Sequence, residues 1–227
     1  MGIVRRTLGP TYRALPLTLR REIRTRRLEY IARRGRFTSD ELEFGRLGEW
    51  LSPGDIAIDI GANYGAYTLR MSELVGSDGR VFAFEPVPQT FATLIRLLAA
   101  TDRQNVTALN LACSSRNGFA SISIPDEAVT GEDLYRATMI QGGPSPVSIC
   151  CVRLDDLALP LDRLRVVKID TEQHESEVID GMWQTICRRR PILIIENLPP
   201  PATERLVSIG YRRDHATGSP NSMFIPS

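Results

Sequence analysis

The chain has 227 residues, of which 42% are hydrophobic and 24% charged, enough apolar material for one sizeable core. That balance excludes a wholly disordered chain, and no uninterrupted apolar stretch reaches the roughly 18 residues that a membrane-spanning helix needs. The formal net charge of +1 hides an asymmetry: residues 1–36 hold eleven Arg against Glu22 and Glu29, about +9, and the remainder has 17 basic against 25 acidic residues, about −8.

Residues 1–48 read as an Arg-rich helical arm and residues 49–227 as one domain. The first residues are basic but lack the apolar core and small-residue cleavage site of a secretory signal, so a cytoplasmic protein is expected. Residues 17–34 set Leu19, Ile23, Leu28 and Ile31 at helical spacing among arginines. Such a helix either packs on the domain or on a partner copy in a homo-oligomer, or it offers a surface to anionic lipid, nucleic acid or a phosphorylated substrate. No aromatic interleaving supports nucleic acid.

Residues 40–51 continue a helical pattern into the turn Ser52-Pro53-Gly54-Asp55, and Ile56-Ala57-Ile58-Asp59-Ile60 is an apolar run suited to a buried parallel strand. Strands are then predicted over 80–84, 106–112, 119–124, 147–154, 164–169 and 192–195, and helices over 89–100 and 175–188. Residues 210–212 and 221–225 read as a terminal hairpin. Residues 125–148 have no period and contain Gly131, Gly142, Gly143, Pro144 and Pro146, the pattern of a long surface loop, either a substrate loop or an unstructured insertion. Strands alternating with helices imply βαβ crossovers, hence an α/β, doubly wound, Rossmann-like and mainly parallel sheet with helices on both faces. Cys113, Cys150, Cys151 and Cys187 show neither metal-ligand spacing nor a disulfide framework and are read as reduced thiols.

The first strand runs into Asp59-Ile60-Gly61-Ala62-Asn63-Tyr64-Gly65-Ala66-Tyr67-Thr68, a glycine-rich turn feeding a helix at the carboxyl edge of the sheet, where α/β folds bind cofactors. The next strand ends in Glu85, 20 residues beyond Gly65, an acid placed to accept the two hydroxyls of a ribose. A dinucleotide site wants a full G-x-G-x-x-G turn around its pyrophosphate, and here Asn63 stands at the second glycine. Asp59 repels a pyrophosphate but suits the ammonium or sulfonium charge of S-adenosyl-L-methionine. The residues favour that methyl donor and leave a nicotinamide-dependent oxidoreductase as the alternative. A non-catalytic donor-binding module is a third reading.

Four segments together resemble the FkbM-type class I methyltransferases. They are the D-x-G-A-N-x-G turn at residues 59–65, Gly79-Arg80-Val81-Phe82-Ala83-Phe84-Glu85-Pro86, Lys168-Ile169-Asp170-Thr171-Glu172-Gln173-His174-Glu175, and Arg190-Pro191 followed by an apolar strand ending in Glu196. The resemblance implies a seven-stranded sheet with a final antiparallel strand. It implies O-methylation of a hydroxyl on a small-molecule acceptor, a sugar, glycoside or natural product. By analogy with the family's cofactor turn, Asp59, Gly61, Asn63 and Gly65 surround the methionine portion and Tyr64 and Thr68 line it. Glu85 takes the ribose, and Pro86 and Val87 flank the adenine. Asn110, Ala112 and Cys113 border the adenine or serve packing. Gln173 departs from the pattern, since the family usually has Gly there.

Methyl transfer to an alcohol is an in-line displacement that needs alignment and a base for the hydroxyl proton. His174 is one of only two histidines and follows the strand ending in Asp170, so it is the candidate base, with Asp170, Glu172 or Glu175 orienting its ring or the acceptor. A solvent-exposed helix-start histidine is the plain alternative; His215 lies in a polar loop and is expected to be solvated. Lys168 and Asp170 share a strand face as an ion pair. Asp170 and Glu196 form a pair suited to Mg2+, but two carboxylates do not commit the site to a metal.

Overall fold

A computed structural model describes Tyr12, residues 14–123, residues 146–214, Ser219 and residues 221–227. Most of the expected substrate loop, residues 125–145, and His215 therefore lie outside the described residues. Two helices open the described chain, α1 (Leu17–Arg33) and α2 (Leu42–Trp50). The domain then runs β1 (Ile56–Ile60), α3 (Ala66–Val75), β2 (Arg80–Phe84), α4 (Pro88–Ala100), β3 (Val106–Leu109), β4 (Ala112–Cys113), β5 (Gly118–Ser123) and β6 (Pro146–Val152). It finishes with β7 (Leu164–Ile169), α5 (Glu175–Gly181), α6 (Trp183–Arg189), β8 (Ile192–Glu196), α7 (Pro200–Ser208), β9 (Tyr211–Asp214) and β10 (Asn221–Pro226).

Seven strands form the main sheet in the order β3-β2-β1-β7-β8-β10-β9, with β10 antiparallel to both neighbours. Strand alternation explains why it is buried on both faces. Ile58 is in register with Phe82 and Val167, and Ile60 with Phe84 and Ile169; both rows continue through Leu193 and Ile195 on β8. This face is sealed by Val178, Ile179, Met182, Ile186 and Leu206 of α5, α6 and α7 and the residue between α5 and α6. On the opposite face Ala57, Val81, Val166 and Ile194 meet Phe44, Leu47, Tyr67 and Met71 of α2 and α3. One row of that second face is anomalous: Ala83, Asp59, Lys168 and Ile194 stand in register, so two charged residues oppose each other between the central strands.

The structure corrects several sequence-based boundaries. The strand expected over 106–112 is two: β3 stops at Leu109, and Ala112–Cys113 pairs with Cys151–Val152 in a separate three-stranded sheet, β4-β6-β5. Asn110 causes the break, its side-chain amide donating to the carbonyls of Glu85 at 2.7 Å and Pro86 at 3.0 Å. The helix expected over 175–188 is also two, interrupted at Met182. Gly181 there packs so closely on the loop after β4 that an added Cβ would stand 1.9 Å from the Ser114 carbonyl oxygen. The strand expected over 147–154 runs from Pro146 to Val152, and α7 was not expected.

The arm packs on the domain, but not by the expected stripe. Thr25, Leu28 and Ala32 are buried, whereas Leu19 and Ile23 face outward. The rotation is set by charge: Arg96 on α4 meets Glu22 and Glu29, the two acids of α1, at 2.7 Å each. These bonds pull the Glu22 carboxyl down to about 2, the Arg96 hydrogen bond counting most and Arg26 adding to it.

Candidate active site

At the carboxyl end of β1 the chain must leave the sheet beside the end of β7. Gly61 permits this at φ 79°, because a Cβ there would lie 1.8 Å from the backbone oxygen of Asp170. Its requirement is an approach of backbone to backbone. Asn63 follows at φ 51° and Gly65 at φ 88°, the latter capping α3.

The Glu85 carboxylate closes this turn onto the next one. One oxygen accepts the Asn63 amide at 2.8 Å and the other accepts the Val87 amide at 2.8 Å. Burial pushes Glu85 up to about 7, against the lowering effect of those two amides. Pro86 is partly exposed, while the Val87 side chain packs with Ala112, Ile122, Ile149 and Cys151. Cys113 belongs to the main core, where burial raises its thiol far above the usual range.

Three residues expected to line the donor are enclosed. The Asp59 carboxylate accepts the Thr68 hydroxyl at 2.5 Å, and both side chains are buried beneath the turn. Burial pushes Asp59 up to about 6, partly offset by Thr68 and by the Lys168 charge. Tyr64 lies under the arm among Leu28, Ala32, Leu69 and Leu94, with the Arg24 guanidinium 5.8 Å from its ring centre. An aromatic ring in this turn gains more from that apolar cluster than from the sheet edge.

Lys168 is buried with a full set of neighbours: Asp170 at 3.4 Å, the Asn221 side-chain oxygen at 3.0 Å and the Tyr67 ring at 5.2 Å. The Asp170 pair is the one its two-residue spacing predicts. Asn221 and the Tyr67 hydroxyl both donate to Glu41, at 3.1 and 2.6 Å. Close to Tyr67, Glu43 is fully buried, and neither of its carboxylate oxygens is hydrogen-bonded among the described residues.

The ends of β7 and β8 hold the titratable groups. Burial drives Glu196 up to about 8, reinforced by its hydrogen bond to Asp170 and by the Asp170 charge. Burial also raises Asp170, but the Lys168 ammonium and the Glu196 hydrogen bond outweigh it and leave Asp170 below its ordinary value. The pair is thus driven apart, Glu196 towards its protonated form and Asp170 towards its ionised form. Among the described residues no group of three His, Cys, Asp or Glu side chains is arranged to hold a metal.

Beyond Asp170 two consecutive residues have left-handed backbone, Glu172 at φ 51° and Gln173 at φ 75°. Here the departure at Gln173 has a physical meaning: a glycine would adopt this conformation without strain. Glu175 holds the loop, one carboxylate oxygen accepting the Thr171 amide at 3.1 Å, the Thr171 hydroxyl at 3.2 Å and the Gln173 amide at 3.2 Å. It is thereby engaged with backbone, and the carboxylate at the His174 ring is that of Glu177, 3.5 Å from Nδ1. Nε2 lies 3.0 Å from the Ser114 hydroxyl. Burial lowers the His174 pKa, against the raising effect of the Glu177 and Glu175 carboxylates.

Sequence reasoning missed Ser114, Glu177, Tyr67 and Asn221. Of these only Glu177 carried a signal, its three-residue spacing from His174 at a helix start.

A family model of the methyltransferase FkbM domain matches residues 59–215. The chain belongs to the FkbM methyltransferase domain family. Two characterised relatives are each 28% identical: the hexuronic acid methyltransferase AglP of Haloferax volcanii over 134 residues, and the 31-O-demethyl-FK506 methyltransferase FkbM of Streptomyces tacrolimicus over 165 residues. The alignments cover 58% and 60% of this chain but only 52% and 63% of those proteins, so the chain spans between half and two thirds of their length. The crystal structure of a methyltransferase FkbM from Methylobacillus flagellatus KT superposes with a TM-score of 0.53 at 16% identity, covering 91% of this chain and 60% of that one. The FkbM domain here has the class I, Rossmann-like methyltransferase fold, with its mostly parallel sheet of seven strands.

Proposed function

We propose that this FkbM domain is an S-adenosyl-L-methionine-dependent O-methyltransferase acting on a hydroxyl of a sugar, glycoside or related natural product. The observation that carries the donor half is Glu85, a buried carboxylate bracketed by the Asn63 and Val87 amides at the tip of β2. Each oxygen accepts one amide and keeps a second lone pair, which suits the two hydroxyls of a ribose. The donor set fits a cationic nucleoside: Glu85 and Asp170 stand at the edge and Asp59 beneath it, with Lys168 as the buried counter-charge. A pyrophosphate meets the wrong charge there, which supports the methyl donor over a nicotinamide dinucleotide.

S-adenosylmethionine, when bound, supplies an electrophilic methyl group. The chain's own work is to hold donor and acceptor and to receive a proton. Gly61, Asn63 and Gly65 face the methionine portion, with Asp59 and Thr68 acting from beneath the turn. Pro86 and Val87 flank the adenine, with Ala112 behind Val87. His174 takes the acceptor proton at a ring nitrogen, because burial keeps the ring neutral at pH 7. Ser114 holds the ring at Nε2, and Asp170 and Glu172 face the acceptor hydroxyls. The acceptor class is supported by the names of the two relatives, one acting on a hexuronic acid and one on an FK506 precursor. All four thiols are free, which supports the cytoplasm as the working compartment.

The test is direct. S-adenosylhomocysteine is expected to raise the unfolding temperature where NAD(H) does not, and labelled donor with a carbohydrate fraction is expected to yield a labelled glycoside. Stabilisation by NAD(H) alone, or label on protein side chains alone, rejects the proposal.

A further inference from the structure

Helix α1 has a second apolar row on the side away from α4. Leu19, Ile23 and Tyr30 are 45%, 37% and 60% exposed, and spacings of four and seven residues set them along one line of the helix. The helical repeat places Arg26 and Arg33 on one flank of that line and Arg27 and Arg34 on the other. The Arg34 guanidinium lies 5.1 Å from the Tyr30 ring centre, and the Arg26 side chain is 75% exposed.

This outward setting is held from the inner side. Glu22 and Glu29 both turn onto Arg96, and Thr25, Leu28 and Ala32 are buried against the domain. The two acids of α1 are therefore neutralised by Arg96, with Arg26 also on Glu22. A helix that only packs on its own domain shows a polar outer face; this one shows aliphatic and aromatic side chains bordered by guanidinium groups.

We infer that α1 is a membrane-surface helix that lies on anionic phospholipid. Leu19, Ile23 and Tyr30 enter the interface, and Arg33 and Arg34 beside them meet the lipid phosphates. Charge complementarity favours this occupant: residues 1–36 carry about +9 and the rest about −8, so an anionic bilayer attracts this segment more than the remainder of the chain. Nucleic acid fits less well, since two aliphatic side chains gain nothing on a phosphate backbone. Leu28 and Ala32 pack with Tyr64, so a docked arm brings the turn at residues 61–65 close behind the bilayer surface. The inference is independent of methyl transfer.

The full chain is to be sedimented with phosphatidylcholine vesicles, with and without about one third phosphatidylglycerol, at about 0.1 M and about 0.5 M salt. Binding is expected only to the anionic vesicles and to weaken at high salt. Arg33→Gln and Arg34→Gln are each expected to weaken it about fivefold, and the Leu19→Ser/Ile23→Ser double variant by roughly tenfold or more, with the thermal midpoint unchanged. If the double variant fails to fold, Leu19→Trp gives the same answer, its emission shifting to the blue on anionic vesicles. The inference is overturned by no binding at low salt, or by no blue shift. It is equally overturned by competition from duplex DNA with no effect of the serine changes, or by a solution dimer that those changes dissociate.

Discussion

The carboxyl ends of β1 and β2 and those of β7 and β8 share one edge of the sheet but are built on different terms. At β1 and β2 the charged groups are closed by the protein itself: Glu85 takes two backbone amides, Asp59 takes the Thr68 hydroxyl, and Gly61 fits against the Asp170 carbonyl. At β7 and β8 the chain keeps two consecutive left-handed residues, the hydrogen-bonded carboxyls of Asp170 and Glu196, and a half-buried histidine. The first end is pre-set by these bonds. The second adds a histidine and a further left-handed non-glycine residue to its carboxyls, features that accompany chemistry.

The sharpest way to break this contrast is at the point where the two ends touch. Gly61→Ala adds a Cβ 1.8 Å from the Asp170 oxygen at a positive φ. It is expected to cost about 3–5 kcal/mol in urea unfolding; a loss below about 1 kcal/mol would show that the ends are not in contact. Next comes His174→Gln, expected to lower turnover by about a hundredfold or more with S-adenosylhomocysteine affinity unchanged. In the unaltered chain burial lowers the His174 pKa, so the rate should climb with pH and level off below about 6.5, the ordinary histidine value. A plateau above that value would contradict the neutral ring.

Glu85→Ala leaves the Asn63 and Val87 amides without their acceptor and is expected to cost about 2–3 kcal/mol. Glu85→Gln should recover part of the stability, since its carbonyl oxygen still accepts one amide, but less of the donor affinity. A smaller effect of opposite sign is expected for Gln173→Gly, which relieves left-handed backbone and should gain up to about 1 kcal/mol in the same unfolding assay. The smallest concerns Glu196. Folded, it keeps a proton up to about 8 that the unfolded chain releases near its ordinary 4.5, so stability should fall as pH rises between those values. Glu196→Gln should flatten that slope in thermal melts across the range.

Much of the fold was legible because strand alternation is local. Ala57-Ile58, Val81-Phe82 and Val166-Val167, apolar on consecutive positions, announce a sheet covered on both sides before any pairing is known. The turn at Gly61 was legible as a demand for glycine, although the neighbour enforcing it is the carbonyl of Asp170 rather than a ligand. Ser114 and Asn221 were not legible, because each reaches the site through an element whose position depends on the whole sheet. The arm shows the same limit from another side. Its apolar residues spread around the helix, and only Arg96, far away in sequence, decides which of them turn inward.

Asn221 joins the Lys168 ammonium to Glu41, a residue 180 positions earlier. The buried lysine therefore depends on an amide partner supplied from the far end of the domain. A chain without its final strand leaves that buried lysine with Asp170 but without its amide partner, so docking of β10 completes the polar network beneath the sheet edge.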